Sequence, residues 1–226
     1  MTKAIEINPR SILKANLALI LALVILHLLF GSAVYEWKGW RGEWGRFFSL
    51  DYEENIPTLY SALSLLLSSI LAISISRLRE LTQRKKVMWG CLGIIFLALA
   101  FDEWQMIHER LEFFGVASWV FLYLPAAALI ALIYGAFILK LPKQTRNLII
   151  LSFTLFIAGS VGVEMTVFHA LKIEPDPKNP VYFALTTLEE SLEMIGIAIF
   201  NYALIRHILH YRTILISPLS AEALKN

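Results

Sequence analysis

Charge is scarce in this chain: Asp, Glu, Lys and Arg make up 17% of its 226 residues, against about 25% in an ordinary soluble domain. That shortage argues against a water-facing surface over most of the molecule. Net charge is small as well, at +2, which leaves no basic face broad enough to hold phosphates and argues against nucleic acid as a partner. A single cysteine, Cys91, excludes an internal disulfide. Long polar connections are few. The exceptions are the stretch 35–56 and the proline-rich turn from Glu174 to Pro180. No repeat of solenoid or transporter-half period is present, so residues 1–226 are read as a single helical domain.

Apolar residues fill the space that charge leaves. They make up 58% of the chain and give a mean hydropathy of +0.64. Six stretches are long enough to cross about 30 Å of hydrocarbon at about 1.5 Å per residue. They fall near 12–34, 57–77, 87–109, 118–139, 147–170 and 181–206. The expected fold is all-α: a polytopic membrane protein with six transmembrane helices in one bundle. The first stretch follows Lys3, Arg10 and Lys14 as a signal peptide would, but Ala15–Val34 exceeds the usual signal core. It is read as an uncleaved anchor.

Basic residues set the expected orientation. Fourteen of the twenty Lys and Arg fall at the two ends and in the second and fourth connections, among them Arg77, Arg79, Arg84, Lys85, Lys86, Lys140, Lys143 and Arg146. The positive-inside rule then places both termini in the cytoplasm. Acids distribute the other way, with only Glu6, Glu80 and Glu222 on the cytoplasmic side. Trp37, Trp40, Trp44, Trp104 and Trp119 suit an outer aromatic belt and Trp89 an inner one. The run Trp37–Trp44 also suits a segment lying flat in the interface.

Against this apolar background, three spans carry groups that lipid does not tolerate. Asp102, Glu103, His108 and Glu109 lie in the third, Glu164 and His169 in the fifth, and Glu189, Glu190 and Glu193 in the sixth. A charged side chain near the bilayer centre costs roughly 2.5–3.5 kcal/mol on insertion scales, so such groups need partners. In the expected topology all three sets lie at a similar depth below the outer surface. Glu189, Glu190 and Glu193 fall within about 100° of one another on a helix. Glu193 is about 18 Å into its span. Adjacent carboxylates repel, and they require a cation, a shared proton or a basic partner.

In the third span Asp102, Gln105 and Glu109 follow i, i+3, i+7 on one face, with His108 on its flank and Glu103 pointing about 100° the other way. Glu164 and His169 are about 140° apart on an ideal helix. They share a site only if that helix bends or unwinds, and Gly159 and Gly162 invite such an irregularity. Carboxylates with histidines on facing helices are a ligand set for Zn, Fe or Mn. The Glu-x-x-His signature of di-iron bundles is absent; its nearest approach is Gln105-Met-Ile-His108.

The expected site is thus a divalent metal held by His108, Glu109, Glu164, His169, Glu189 and Glu193, with Asp102 or Glu190 as the spare acid that exchanges a proton. Its partners are the lipid bilayer and a lipophilic small molecule. Two other readings stay open: a proton- or cation-coupled transporter or channel component, and a scaffold subunit with no chemistry of its own. Against transport, the cytoplasmic halves of the spans offer few polar residues to continue a path.

Other residues carry quieter expectations. Ser61, Ser64 and Ser68 form a stripe typical of a close helix contact. Asn55 with Pro57 reads as an N-cap, and Glu53 and Glu54 as acids at the rim of the site. Pro125 is expected to kink its span. His27 is read as a packed residue. His207 and His210, beside Arg206 and Arg212, are read as contacts for anionic headgroups.

Taken together, Glu54-Asn-Ile-Pro-Thr58, Phe101-Asp-Glu103 with His108-Glu109, and Glu189-Glu190-x-x-Glu193 resemble a set of uncharacterised multi-pass bacterial membrane proteins. The resemblance implies a bacterial inner membrane and carries no function. The serine, aspartate and three-histidine pattern of alkaline ceramidase-like and adiponectin-receptor-like hydrolases is not matched.

Overall fold

A computed structural model describes residues 8–31, 40–107, 110, 120–163, 165–166, 171–173, 176 and 178–223. Every regular element among them is helical. In chain order these are α1 (Pro9–Phe30), α2 (Trp40–Phe48), α3 (Ile56–Ser76), α4 (Gln83–Gln105), α5 (Val120–Leu139), α6 (Lys143–Ile157), a π-helical segment (Ala158–Val163) and α7 (Pro180–Ala223). Five apolar stretches are long enough to cross a membrane: α1, α3, α4, α6 with its π-helical continuation, and Pro180–Tyr211 of α7. The chain is therefore an all-helical, multi-pass membrane protein. The expected span at 118–139 corresponds to α5, whose described apolar part, Tyr123–Leu139, is shorter than the other five.

The ends of these helices follow from local chemistry. Asn8 and Asn55 cap α1 and α3, each accepting backbone N–H groups on its side-chain oxygen, and a proline stands in the first turn of both. Helix α4 stops at Gln105 because Met106 turns left-handed, with φ 51°. The third span was expected to continue to 109. The face drawn through Asp102, Gln105 and Glu109 assumed that continuity, so helical phase does not carry past Gln105.

The last helix departs in the opposite direction. It was expected to end at 206 and instead runs over 44 residues to Ala223, a length of about 66 Å. No glycine or proline interrupts it after Gly196 until Pro218, so helical hydrogen bonding continues past the apolar part.

Helix α7 is the axis of the bundle, packing against α1, α3, α6 and the π-helical segment, while α3 and α4 form the tightest pair. Close approach is what makes that pair tight. A Cβ on Gly93 would lie 2.6 Å from Ile73 Cγ1 and 3.1 Å from the carbonyl oxygen of Ser69, and Ser69 Oγ donates to the carbonyl of Gly93 at 2.7 Å. Small residues let two backbones meet in this way where lipid offers no hydrophobic drive to associate. The main core joins Ile75, Trp89, Phe96, Ile149, Phe200 and Leu204, and a second cluster ties Ile20, Leu23 and Leu50 to Met194 and Ala198.

Helix α5 is peripheral. It contributes Tyr134 to the core but leaves Leu132 80% exposed, as an apolar side chain facing lipid would be. Pro125 lies inside this helix.

Candidate carboxylate site

The site begins with a short loop. Asn55 Nδ2 donates to the carbonyl oxygens of Arg46 at 3.1 Å and Ser49 at 2.6 Å, and also to that of Tyr52. One amide thus closes the chain between α2 and α3. This closure holds Glu53 at the mouth of the bundle, where Thr58 Oγ1 donates to Glu53 Oε2 at 2.8 Å.

A second clamp fixes the N-terminal end of α7. His27 of α1 is fully buried. Its Nδ1 accepts the N–H of Leu50 at 3.0 Å, and its Nε2 lies 3.0 Å from Thr187 Oγ1. A backbone N–H can only donate, so the ring proton sits on Nε2 and the imidazole is neutral. Thr187 passes its own hydroxyl proton on to the carbonyl of Phe183 at 2.6 Å, and the Phe183 ring stacks on His27 with centroids 4.5 Å apart. His27 is a packing residue, as expected. Beside it Tyr182 donates to Asp51 Oδ1 at 2.8 Å.

Between these clamps, carboxylates from three elements gather. Glu53, Glu103 and Glu189 all act electrostatically on both Glu190 and Glu193. Among the described residues, every charged group acting on those two is another carboxylate. A cavity of about 30 Å³ opens here, lined by Tyr60, Ser61 and Ser64 of α3, Glu103 of α4, Phe156 of α6, and Glu193 and Met194 of α7. That is room for a water molecule or an ion of similar size. The hydroxyl of Tyr60 is buried in this region, with the Ser64 side chain as its polar neighbour.

The π-helical segment abuts the same place. A Cβ on Gly159 would lie 2.7 Å from the carbonyl oxygen of Glu189 and 3.1 Å from Glu193 Cγ. Only glycine admits α7 at that distance. The irregularity expected from Gly159 and Gly162 is therefore present, within Ala158–Val163. Insertions of this kind occur frequently at functional sites.

The expected site residues divide clearly. Glu189, Glu190 and Glu193 lie together, each half-buried. Asp102 faces elsewhere: its Oδ1 accepts the Tyr123 hydroxyl of α5 at 2.9 Å, and its neighbour Glu103 is the residue that reaches the cavity. His108, Glu109, Glu164 and His169 lie outside the described residues. Among the described residues no group of three or more His, Cys, Asp or Glu side chains is arranged to hold a metal ion. Glu103 and Glu193 are two carboxylate donors across one cavity, with the hydroxyls of Tyr60, Ser61 and Ser64 around them.

Sequence reasoning missed Tyr60, and it read Ser61 and Ser64 only as packing. The serine stripe does both jobs. Ser68 Oγ donates to Asn201 Oδ1 at 2.8 Å, and Asn201 Nδ2 donates to the carbonyl of Ser64 at 3.0 Å. Further along the bundle, away from the carboxylates, the interior is more polar than composition implied. Asn201, Ser152, Thr145 and His207 are all buried. His207 was expected at the headgroups. It is 1% exposed, its Nδ1 lies 3.2 Å from Thr145 Oγ1, and its ring packs against Trp89 with centroids 5.2 Å apart.

No curated protein and no solved structure matches the chain. A family model does match, over residues 16–208, and it takes in α3 to α6, most of the first and last spans, and every carboxylate at the cavity. The chain belongs to the family described as Domain of unknown function (DUF8692).

Proposed function

We propose that this protein binds a divalent cation at a carboxylate centre inside its membrane bundle. The observation that carries the reading is the cavity that Glu103 and Glu193 line from different helices, with the hydroxyls of Tyr60, Ser61 and Ser64 around it. Crowded carboxylates repel one another, and a metal ion offsets that repulsion directly. The described donors are all oxygen, a set that suits Mn, Mg or Ca. Zn or Fe would require the histidines expected from sequence, His108 and His169, with Glu109 and Glu164. A bound metal would polarise a substrate oxygen or activate water. Glu190 is the acid next to the cavity that would exchange a proton. A lipophilic substrate would reach such a centre from the bilayer.

In this reading the chain crosses a bacterial inner membrane six times, α5 included, with both termini cytoplasmic. The support is the bias of Lys and Arg towards one side. The carboxylate centre then lies beneath the extracytoplasmic face.

Elemental analysis of the detergent-purified protein tests the proposal, with wild type beside Glu193→Gln and Glu103→Gln. Stoichiometric divalent metal in wild type, reduced at least about 10-fold in both variants, is the expected result. Adding His108→Ala tells whether the ligand set extends to histidine. A metal-free wild type that keeps its fold and its thermal stability after chelation overturns the reading.

One observation favours a second reading, a proton-linked pathway. On α7, Glu190, Glu193, Asn201 and His207 share about 120° of the helix circumference, and both Asn201 and His207 are buried. A polar line thus continues towards the cytoplasm. Proton flux into liposomes that persists in Glu193→Gln would remove that residue from any such path.

A further inference from the structure

A second recess lies apart from the carboxylate cavity, at the boundary where α3 enters the apolar region. Its volume is about 200 Å³ and its walls are Glu43, Arg46, Phe47, Tyr52, Glu54 and Asn55. The loop that forms it is braced from within. Asn55 spends its amide on three backbone carbonyls and its oxygen on Thr58 N–H. Glu54 turns with φ 57°. Arg46 is held by Tyr52: the guanidinium carbon stands 5.0 Å from the ring centroid, and Nη2 donates to the hydroxyl at 2.6 Å. Among the described residues the remaining N–H groups of Arg46 have no other side-chain partner and are left for a ligand. Two carboxylates, Glu43 and Glu54, share the recess with this one cation.

We infer that the recess binds the headgroup of a zwitterionic phospholipid, a phosphate ester bearing an ammonium group. Arg46 meets the phosphate, since a planar guanidinium recognises phosphate oxygens through paired N–H donors. Glu43 and Glu54 meet the ammonium. One positive and two negative side chains complement that headgroup and repel an anionic lipid that lacks an amine. Lipid, rather than a soluble phosphate ester, is the source because of depth and neighbours. Asn55 is the N-cap of a membrane-spanning helix, so the recess sits at headgroup level. On the same side Trp44 and Phe47 of α2 are 47% and 52% exposed, an amphipathic arrangement suited to lying in the interface with acyl chains alongside.

Native mass spectrometry of the delipidated full-length protein, incubated with phosphatidylethanolamine or phosphatidylglycerol, tests this inference. One phosphatidylethanolamine per chain is expected to survive mild activation, at least 10-fold more abundant than phosphatidylglycerol. Arg46→Ala should abolish that adduct. Glu43→Gln with Glu54→Gln should erase the preference between the two lipids. Arg77→Ala removes the same charge at the other end of α3, outside the recess, so it should retain the lipid and serves as the folded control. Equal retention of both lipids by wild type overturns the inference, as does an adduct that survives Arg46→Ala. So does glycerophosphoethanolamine, a headgroup without chains, competing as well as the intact lipid. None of these outcomes depends on metal at Glu193, so the two proposals fail separately.

Discussion

Glu103 of α4 and Glu193 of α7 line one cavity, although they come from distant parts of the sequence and from helices joined through two others. Asp102, one residue earlier, is turned away to the Tyr123 hydroxyl. The two neighbours therefore separate in their effects. Asp102→Asn is expected to leave bound metal at the wild-type level, while Glu103→Gln lowers it at least about 10-fold. Metal content of the two purified variants checks this directly.

Gly159 is where α7 comes closest to the π-helical segment. Gly159→Ala places a methyl 2.7 Å from the Glu189 carbonyl oxygen, which is backbone and does not swing aside. We expect a loss of about 1–3 kcal/mol, the usual cost of overpacking, together with weaker metal retention because Glu189 and Glu193 move. Thermal unfolding in detergent measures the first and elemental analysis the second. A variant as stable as wild type would mean that the helices part without cost.

The His27 clamp makes a prediction of its own. His27→Ala strands the buried N–H of Leu50 and removes the ring N–H that Thr187 Oγ1 accepts, at an expected cost of about 1–3 kcal/mol. Thr187→Val removes a single partner and should cost less. The order of the two midpoints in one thermal series is the check.

Asn201 bridges α7 to α3 through Ser64 and Ser68. Interhelical hydrogen bonds in membranes average about 0.6 kcal/mol each, so Asn201→Leu should cost only about 1–2 kcal/mol. Liposome proton flux in this variant also bears on the second functional reading: a flux equal to wild type would take Asn201 out of the path.

Orientation is checked with thiols. Cys91, exposed on the surface of α4, is first replaced by serine. Cysteines are then placed at Lys143 and Lys178. A membrane-impermeant maleimide added to intact cells should label position 178 and spare 143. The reverse pattern would invert the topology and move the carboxylate centre to the cytoplasmic leaflet.

Much of the architecture was legible because lipid as a solvent leaves few choices. Runs such as Ala15–Phe30 or Ile56–Ser76 must be helical, since a helix satisfies its own backbone within one segment. The cap at Asn55 was readable for a local reason too, as an asparagine two residues before a proline. The irregular turn at Gly159 and Gly162 was readable from the absence of two side chains. Helix ends were harder. The stop after Gln105 depends on Met106 turning left-handed, a conformation that methionine has no intrinsic preference for. The length of α7 rests on the absence of any breaker before Pro218.

Residues at the site divide in the same way. Sequence determined by itself that acids are concentrated inside apolar segments, and that Glu189, Glu190 and Glu193 share one helical face, because both follow from composition and the 3.6-residue period. Partner choice across helices belonged to the tertiary structure. Whether Asp102 or Glu103 turns inward depends on the rotation of α4 about its axis, set by Gly93 against α3. The role of the serines depends on the same packing, which leaves a gap beside Ser61 and Ser64 and fills the one beside Ser68 with Asn201. His207 drew its place from the fold as well: a histidine flanked by basic residues reads as surface until Trp89 and Thr145 are found to enclose it. Rotation and packing are long-range properties, decided by side chains far apart in the chain, and no local pattern encodes them.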